Sequence, residues 1–402
     1  MEAIVVKRTV LFIIDTPIIN TYRSYYALEA YEKANYEIKM LDISPLINKS
    51  AYKKVTTGLM NYDGENICRC HTYSDFYKFI DQIDGKIIAV DSGAFSLQYR
   101  KIYEYLHKKG IPYGYIILNS CYENATGSKG IKKVSEFIKH ISFTRILNLL
   151  YRRIPKFFLH IDPATFVISN SIDEEEHYRK RFYCTDETKF LVVHSNTYEE
   201  ALKIKYNKPL IKGKYCVWLD SYIPYHPDLS QLNAALDPER YYSPLRRFFR
   251  WIESEYGIEV VVSAHPRSDY EMHPEAYEGF KVIKGETCAL VRDSEFVITA
   301  ASTSFLYGIT YEKPMLFVYQ EELVNQLPTH IVFMNTLADE LNTKAFCIDS
   351  AAYDKNEIDE LLEIDKVRYE KVGNRYICPS FDGRILGKSY EQQIIDLFEL
   401  II

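Results

Sequence analysis

The chain has 402 residues, of which 47% are hydrophobic and 26% are charged. This balance is typical of a globular protein and excludes an extended disordered chain. The 49 basic and 55 acidic residues give a net charge of −6, which argues against a nucleic-acid partner because phosphate backbones require a basic face. At roughly 100–200 residues per domain, the length predicts two domains.

The eight cysteines are scattered along the sequence. We therefore expect reduced thiols, several of them in the core, as in a protein of the reducing cytosol. Their one cluster, "CRCH" at Cys68–His71, has no second half that would complete a tetrahedral zinc site, so we predict no metal. Lys7, Arg8 and Asp15 interrupt the apolar start, unlike a signal peptide. Because no run reaches the roughly 20 apolar residues that span a bilayer, we predict a cytoplasmic protein.

One segment points to a membrane surface. "RILNLLYRRIPKFF" (Arg145–Phe158) is basic and amphipathic, a combination that can rest on anionic lipids. A plain surface helix is the alternative, so peripheral contact at the inner face of the membrane is an open expectation.

The first half of the chain alternates apolar runs with helical periodicity. Such β-α-β spacing predicts a parallel sheet. Asp91-Ser92-Gly93 is expected to open a helix directly after one of the strands. We therefore predict a Rossmann-like domain over residues 1–205, with strands in Thr9–Asp15, Glu37–Ile43, the first part of Lys86–Ser96 (before the helix opened by Asp91-Ser92-Gly93), Tyr113–Ser120, Lys156–Asp162 and Lys189–Ser195.

The second half repeats this alternation after a Pro-, Gly- and Lys-rich stretch that marks a domain boundary. "YCVWL", "IEVVVSAHP", "GFKVIKG", "EFVITAASTS" and "KPMLFVY" predict strands, and "SPLRRFFRWIESEYG" predicts an amphipathic helix closed by Gly257. We predict a second Rossmann-like domain over 214–385 and a C-terminal helix over 388–402 that packs back on one domain. Paired domains of this class bind ligands in a cleft, at the carboxyl ends of their strands.

The strongest local pattern is "VVVSAHPRSDY". Val260–Val262 predict a strand buried on both faces, so His265 falls at its carboxyl end. Pro266 keeps His265 out of the α region, and Arg267 offers a planar fork suited to phosphate. The alternative is an ordinary capped loop whose histidine bonds a backbone carbonyl.

Two further loops follow neighbouring strands. Ser302, Thr303 and Ser304 precede a helix near Phe305, where hydroxyls and backbone N–H groups could hold an anion. Capping alone is the alternative, and no Walker P-loop is present. Gly285, Glu286 and Thr287 start another helix; they could contact ribose and base, or act only as a helix start.

Three carboxylates end predicted strands. Asp220 follows "YCVWL" among aromatic residues and prolines that could raise its pKa. Asp91 in "VDSGAFS" and Asp15 after the first strand are the candidates in the other domain. Each could deprotonate a hydroxyl group or attack as a nucleophile, and a loop or cap carboxylate is the alternative for each.

The motifs "AHPRSDY", "KGETCALV" and "ITAASTSFLYGITYEKPMLFV" together resemble bacterial glycosyltransferases of the GT-B fold. The resemblance is closest to transferases that use CMP-activated ulosonic acids, such as sialyltransferases and Kdo transferases, and it covers roughly Tyr215–Tyr319. It implies a CMP-sugar donor, a glycan or glycolipid acceptor in surface polysaccharide synthesis, and no resident cofactor.

The resemblance also implies roles for individual residues. In such enzymes a His-Pro motif and a Ser/Thr pair hold the CMP phosphate; His265 and Pro266 match the first, and Ser302–Ser304 the second. The family often carries its base in an acid-acid-glycine motif. Here the nearest approach, "YDGEN" at Tyr62–Asn66, has one acid, so the base stays open between Asp220 and Asp91.

Three alternatives keep the same fold. A UDP-sugar 2-epimerase would require a Gly-rich phosphate loop, which "TAASTSFL" does not supply. A CDP-glycerol phosphotransferase of the teichoic-acid type also combines a histidine with a Ser-rich loop, although its basic character is missing here. A non-catalytic nucleotide-binding protein would retain the site without the reaction.

Overall fold

Two parallel β-sheets organise the chain in the computed structural model, one in each of two α/β units. The first unit holds the described residues up to Leu118, those from 147 to Val193, and the C-terminal stretch from 388; the second holds those from His194 to 378. The structure describes residues 7–18, 22–49, 52, 66–93, 95–118, 147–148, 150–151, 154, 156–171, 175–226, 236–300, 302–350, 352–378 and 388–402.

The sheet of the first unit has the strand order β3-β2-β1-β4-β5-β6-β7, and all of its pairs are parallel. Its inner strand β1 is apolar and buried on both faces from Val10 to Ile14, as helices covering both sides of a parallel sheet require. The strands are β1 Arg8–Ile14, β2 Glu37–Asp42, β3 Ile67–Arg69, β4 Lys86–Asp91, β5 Tyr113–Ile117, β6 Phe166–Ser169 and β7 Lys189–Val192.

Local capping sets the ends of the helices in this unit. The hydroxyl of Thr72 accepts from the N–H of Asp75, and the Asp75 carboxylate accepts from the N–H of Thr72, which is a capping box. Gly110 closes a later helix in the left-handed conformation. The helices are α1 Tyr22–Tyr25, α2 Leu28–Lys33, α3 Ser44–Ile47, α4 Tyr73–Asp81, α5 Arg100–Lys109 and α6 Glu175–Arg181.

The sheet of the second unit has the order β10-β9-β8-β11-β12-β13 and is also parallel. Its strands are β8 Tyr215–Leu219, β9 Glu259–Ala264, β10 Lys281–Lys284, β11 Val297–Thr299, β12 Met315–Tyr319 and β13 Phe346–Cys347. Its helices are α7 Asn196–Ile204, α8 Pro238–Tyr256, α9 Thr287–Asp293, α10 Phe305–Thr310, α11 Glu321–Gln326, α12 Pro328–Glu340, α13 Lys355–Leu361 and α14 Lys366–Tyr376.

Helix α8 shows why the sequence folds as it does here. Asp237 caps it by accepting from the N–H groups of Glu239 and Arg240, Pro238 occupies its first position, and Gly257 ends it with φ 63°. Its apolar face, which includes Phe248 and Phe249, is fully buried in the core of the second unit. The helix thereby supports the sheet whose edge carries most of the predicted site residues.

Two predictions about elements differ from the structure. The run Lys156–Asp162 is not a strand: Lys156–Leu159 form a 3₁₀ helix, and His160 has φ 49°, a left-handed value that ends any extended run. The strand lies later, at β6. After Asp91, the helical segment begins only at Leu97.

The division between the units lies earlier than the boundary expected at 205–214. It falls between Val193 and His194, so helix α7 belongs to the second unit. The physical reason is packing, because α7 lies against α9 and α10 and Arg292 of α9 donates to the carbonyl of Ile204.

The C-terminal helix α15, Tyr390–Ile401, packs on the first unit, as the sequence predicted for one of the domains. The Phe398 ring is fully buried and lies 5.2 Å from the ring of Phe166 and 5.9 Å from that of Tyr31. Arg8 of β1 forms an ion pair with Glu399 at 3.2 Å. The last turn of the chain is therefore part of the core that β1 and β6 share.

We expect Phe398→Ala to destabilise the first unit by about 3–5 kcal/mol, because the substitution leaves a cavity in a closed core. The matched control is Leu400→Ala on the same helix, since Leu400 is 75% exposed and its loss should change the free energy of unfolding by less than about 0.5 kcal/mol. Urea unfolding of both variants measures the difference, and equal effects would contradict the packing of α15.

Candidate functional site

Most of the predicted site residues lie along one edge of the second sheet. Because its strands are parallel, the loops after β10, β9, β8 and β11 all leave the same edge. The chain fills the sheet on one side of β8 and then returns to fill the other side from β11. This reversal between β8 and β11 is the topological switch point where such sheets bind ligands.

Asp220, directly after β8, connects these loops. It is 3% exposed, and its carboxylate accepts four hydrogen bonds. Oδ1 accepts from the N–H of Tyr222 and the hydroxyl of Tyr277, both at 2.9 Å. Oδ2 accepts from the N–H of His265 at 3.1 Å and from the hydroxyl of Tyr270 at 2.8 Å. Asp220 therefore joins the loop after β8 to the loop after β9.

The hydrogen bonds decide what Asp220 can do. Burial raises its pKa, and the four donors oppose that rise. Those donors occupy the lone pairs that a carboxylate offers, so Asp220 would have to release one of them before taking a proton from a substrate. The geometry gives Asp220 a positioning role toward His265.

The loop after β9 presents His265 in a defined tautomer. The N–H of Arg267 donates to Nδ1 of His265 at 3.1 Å, so the ring proton of the neutral imidazole lies on Nε2. The N–H of Ser268 donates to the carbonyl of His265 at 2.9 Å, which closes a turn with Pro266 at its favoured second position. The ring proton of His265 thus lies on the Nε2 side, while the side chains of Pro266 and Arg267 are exposed.

His226, in the loop after β8, lies beside His265. The two ring centroids are 5.0 Å apart and the rings are nearly perpendicular. From the sequence, His226 is expected only as a possible assistant of Asp220, because its His-Pro dipeptide lies in loop-like sequence and two similar dipeptides occur elsewhere. The pairing through Asp220 of the loops after β8 and β9 is what brings the two rings together.

The hydroxyl-rich loop lies after β11, on the other side of β8. Helix α10 begins at Phe305, as predicted. The hydroxyl of Ser302 accepts from the N–H of Ser304 at 3.3 Å, so one of the three hydroxyl groups serves the turn. Thr303 is exposed and Ser304 is half-buried, which leaves the loop at the surface of the sheet edge.

The loop after β10 is built differently from the expected helix cap. Gly285 has φ 86°, a value that favours glycine, and the Glu286 side chain is exposed and caps no N–H group. The hydroxyl of Thr287 lies 2.8 Å from the hydroxyl of Ser263 in β9. Thr287 therefore ties the start of α9 to the strand that carries His265.

The first sheet has its own switch point, between β1 and β4, and Asp15 and Asp91 end these two strands. Asp91 is 1% exposed and accepts from the hydroxyl of Tyr103 at 2.6 Å and from the N–H of Gly93 at 2.9 Å. Burial raises the pKa of Asp91 to about 7, and the charge of Asp15 adds to the rise. Asp15 is half-buried and accepts from the hydroxyl of Tyr99 at 2.6 Å.

The metal and membrane predictions concern other parts of the chain. The sulfur atoms of Cys68 and Cys70 lie 3.7 Å apart, and among the described residues no group of three His, Cys, Asp or Glu side chains is arranged to hold a metal ion. Within the same ranges, every helix is too short or too polar to cross a bilayer. Segment 145–158 is described only in part, at 147–148, 150–151, 154 and 156–158, and all of "YDGEN" except Asn66 lies outside the described residues.

Sequence comparison identifies no relative: no family model and no curated protein matches the chain. Among solved structures, a His-to-Asn variant of the wall teichoic acid polymerase TagF aligns with a TM-score of 0.50 and 14% identity, over 98% of this chain and 88% of that chain. UDP-GlcNAc 2-epimerase from Methanocaldococcus jannaschii (11% identity) and MurG from Acinetobacter baumannii (9%) align with TM-scores of 0.43 over 98% of this chain and 99% of theirs.

The likeness to TagF concerns the fold. Together with the two parallel sheets, it confirms the prediction of paired Rossmann-like domains of the GT-B type.

We expect Asp220→Asn to destabilise the second unit by about 2–3 kcal/mol. The NH2 group of asparagine is itself a donor, so it would point at hydrogen-bond donors of the protein and could not accept from them. Asp269→Asn is the matched control, since Asp269 is exposed and its change should cost under about 0.5 kcal/mol. Urea unfolding compares the two variants, and a stable Asp220→Asn protein would refute the connecting role.

Asp91 makes the first unit less stable as the pH rises. Its pKa is 3.8 when exposed and about 7 when folded, so between these values the unfolded chain has lost a proton that the folded chain retains. The stabilisation is complete below pH 3.8 and is lost as the pH rises through 7. Each unit by which the folded pKa exceeds the unfolded pKa contributes about 1.4 kcal/mol.

Unfolding experiments with urea at several pH values should show this decline for the wild type. A flatter profile is expected for Asp91→Asn, which cannot ionise. Asp84→Asn, at an exposed position, should keep the wild-type profile. If the Asp91→Asn profile matches the wild type, then Asp91 does not hold a raised pKa.

Proposed function

We propose that this protein transfers a sugar-like group from a cytidine-nucleotide donor to a glycan or glycolipid acceptor. The observation that carries the proposal is the Nε2–H of His265, oriented by Asp220 and by the N–H of Arg267 beside the switch point. An N–H donor in that place suits an oxygen of the donor's phosphate, because charge-assisted hydrogen bonds to phosphate are strong.

The neighbouring loops provide the rest of the proposed donor site. Strands β9 and β11 flank β8, so their ends lie roughly 10 Å apart, within the reach of one nucleotide. In the proposal, Ser302–Ser304 contact the phosphate from the α10 side. Gly285 and Glu286 lie on the other side, where the exposed Glu286 carboxylate can accept from ribose hydroxyl groups.

In the proposed transfer, the bond between the anomeric carbon of the sugar and a phosphate oxygen breaks, and the nucleotide leaves with the electron pair. His265 donates its Nε2–H to that phosphate, whose charge grows in the transition state. The acceptor hydroxyl forms the new glycosidic bond and loses its proton to a carboxylate.

Asp220 is poorly suited to receive that proton, because its lone pairs are occupied. Asp91 is the proposed base, since a pKa of about 7 suits a base near neutral pH.

The donor is proposed to be a CMP-activated sialic-acid- or Kdo-like sugar, on the strength of the His-Pro and Ser-Thr-Ser motifs. The second candidate is a CDP-glycerol-type transfer, favoured by the likeness of the fold to the wall teichoic acid polymerase TagF and by the second ring, His226, next to His265. Both candidates place a cytidine nucleotide at the same edge.

A nucleotide screen by thermal shift tests the proposal. CMP and CDP should raise the melting temperature of the wild type, whereas UDP should do so less. Stabilisation by UDP alone would favour an epimerase-like nucleotide site, and no stabilisation by any of the three would refute the donor site.

We expect His265→Ala to lower turnover with the preferred cytidine donor by roughly 100-fold or more, because a donor to the leaving group is lost. His177→Ala is the matched control, since His177 is exposed on α6 of the first unit, and it should keep wild-type turnover. Near-normal turnover by a folded His265→Ala protein would refute the role of this ring.

A further inference from the structure

Two aromatic side chains of the second unit stack face to face near the candidate site. Tyr225 lies in the loop after β8 and His273 in the loop after β9; their ring centroids are 3.6 Å apart and their planes are within 7° of parallel. The ring of Tyr225 also stacks at 6.0 Å on that of Tyr242 in α8, which is only 1% exposed. We call Tyr225 and His273 the stacked pair; it is supported from the core of the unit.

Measured contacts connect the stacked pair to His265. Tyr225 directly precedes His226, whose ring centroid is 5.0 Å from that of His265. The loops after β8 and β9, which carry the pair, are also held together by the hydrogen bonds of Asp220. A ligand that binds at His265 therefore has an aromatic surface beside it.

The outer ring of the pair is accessible. The side chain of His273 is 31% exposed, and in the ranges that the structure describes, Tyr225 is the one ring that stacks on it. Because Tyr225 covers one face of His273, the exposed part of the ring belongs to its other face and its edge. A flat ring from a ligand can extend the stack there, and nucleobases bind aromatic side chains in this way because every base has a π-face.

A carboxylate lies at the edge of the stacked pair. Oε1 of Glu275 accepts from the hydroxyl of Tyr225 at 3.4 Å and lies 3.8 Å from Nδ1 of His273. The Glu275 side chain is 60% exposed, so it can accept from a ligand as well. The amino group N4 of cytosine is a donor that suits a carboxylate, whereas uracil carries the acceptor O4 at the same position, which a carboxylate repels.

We propose that the stacked pair binds the base of the donor nucleotide and that Glu275 selects cytosine over uracil. This inference rests on the proposed function, in which His265 contacts the phosphate of the same nucleotide. It adds the residues that hold the base and the group that distinguishes a cytidine donor from a uridine donor.

The test measures the dissociation constants of CMP and UMP by isothermal titration calorimetry. The wild type should bind CMP roughly tenfold more tightly than UMP. His273→Ala should weaken both nucleotides by roughly tenfold, because either base loses its stacking surface. Glu275→Gln should instead bring the two affinities to within about threefold of each other, because an amide can accept from N4 or donate to O4.

Matched variants separate stacking from a general effect on the loop. His273→Phe keeps a flat ring and should keep the affinity for CMP within about threefold of the wild type. Met272→Ala and Glu278→Gln are the controls, since Met272 is 72% exposed and Glu278 is exposed; both should bind as the wild type does. Equal weakening by His273→Phe and His273→Ala would overturn the stacking role.

Two further results would count against the proposal. Unchanged CMP affinity in His273→Ala would overturn the base site, even if a complete CMP-sugar bound more weakly, since the sugar would then lie on the ring. Equal binding of CMP and UMP by the wild type, or an unchanged preference in Glu275→Gln, would overturn the selection of cytosine.

The proposed function can fail separately. A wild type that binds neither nucleotide refutes the donor site itself. A wild type whose CMP binding is lost in His265→Ala but kept in His273→Ala refutes only the stacked pair.

Discussion

The second unit depends on one buried carboxylate. Asp220 stands at the end of β8 with almost no exposure, and a charge or a polar group in such a place is tolerated only when its lone pairs are satisfied. Two backbone N–H groups and two tyrosine hydroxyl groups satisfy them. One of those N–H groups belongs to His265. The hydrogen bonds that allow the Asp220 carboxylate to be buried therefore also hold in place the loop that carries the candidate site.

The tyrosines extend this constraint into the core. Tyr277 accepts from the indole N–H of Trp218 at 2.8 Å while donating to Asp220, and burial raises its pKa well above the ordinary value. A tyrosine that stays protonated is a permanent donor. The edge of the sheet is thus connected to the aromatic core by hydrogen bonds whose direction does not change with pH.

Much of the fold could be predicted because parallel strands buried on both faces have a simple apolar pattern. Strands β1, β8, β9 and β12 were found this way. The edge strands β3 and β13 were not, since three and two residues are too few to show a period. The run at Lys156–Asp162 had the composition of a strand, but the left-handed His160 depends on its surroundings and leaves no local pattern.

The site could be predicted only where the chemistry lies in consecutive residues. His265, Pro266 and Arg267 form such a group, and the Nδ1 bond that sets the tautomer of His265 comes from within it. His226 meets this group through tertiary structure, from the loop after β8, so no sequence spacing predicts its position. The role of Asp220 depended on four donors, of which the nearest in sequence is two residues away and the farthest is Tyr277.

The two ends of the second unit lie close together, which has a practical consequence. The N–H of Ser195 donates to the carbonyl of Ile377 at 2.7 Å, so the points where the chain enters and leaves this unit are tied together, and α15 then completes the core of the first unit. In chain order, the second unit is therefore inserted between two segments of the first. An inserted module with adjoining ends can be excised, or exchanged for a homologous one, without cutting the host in two.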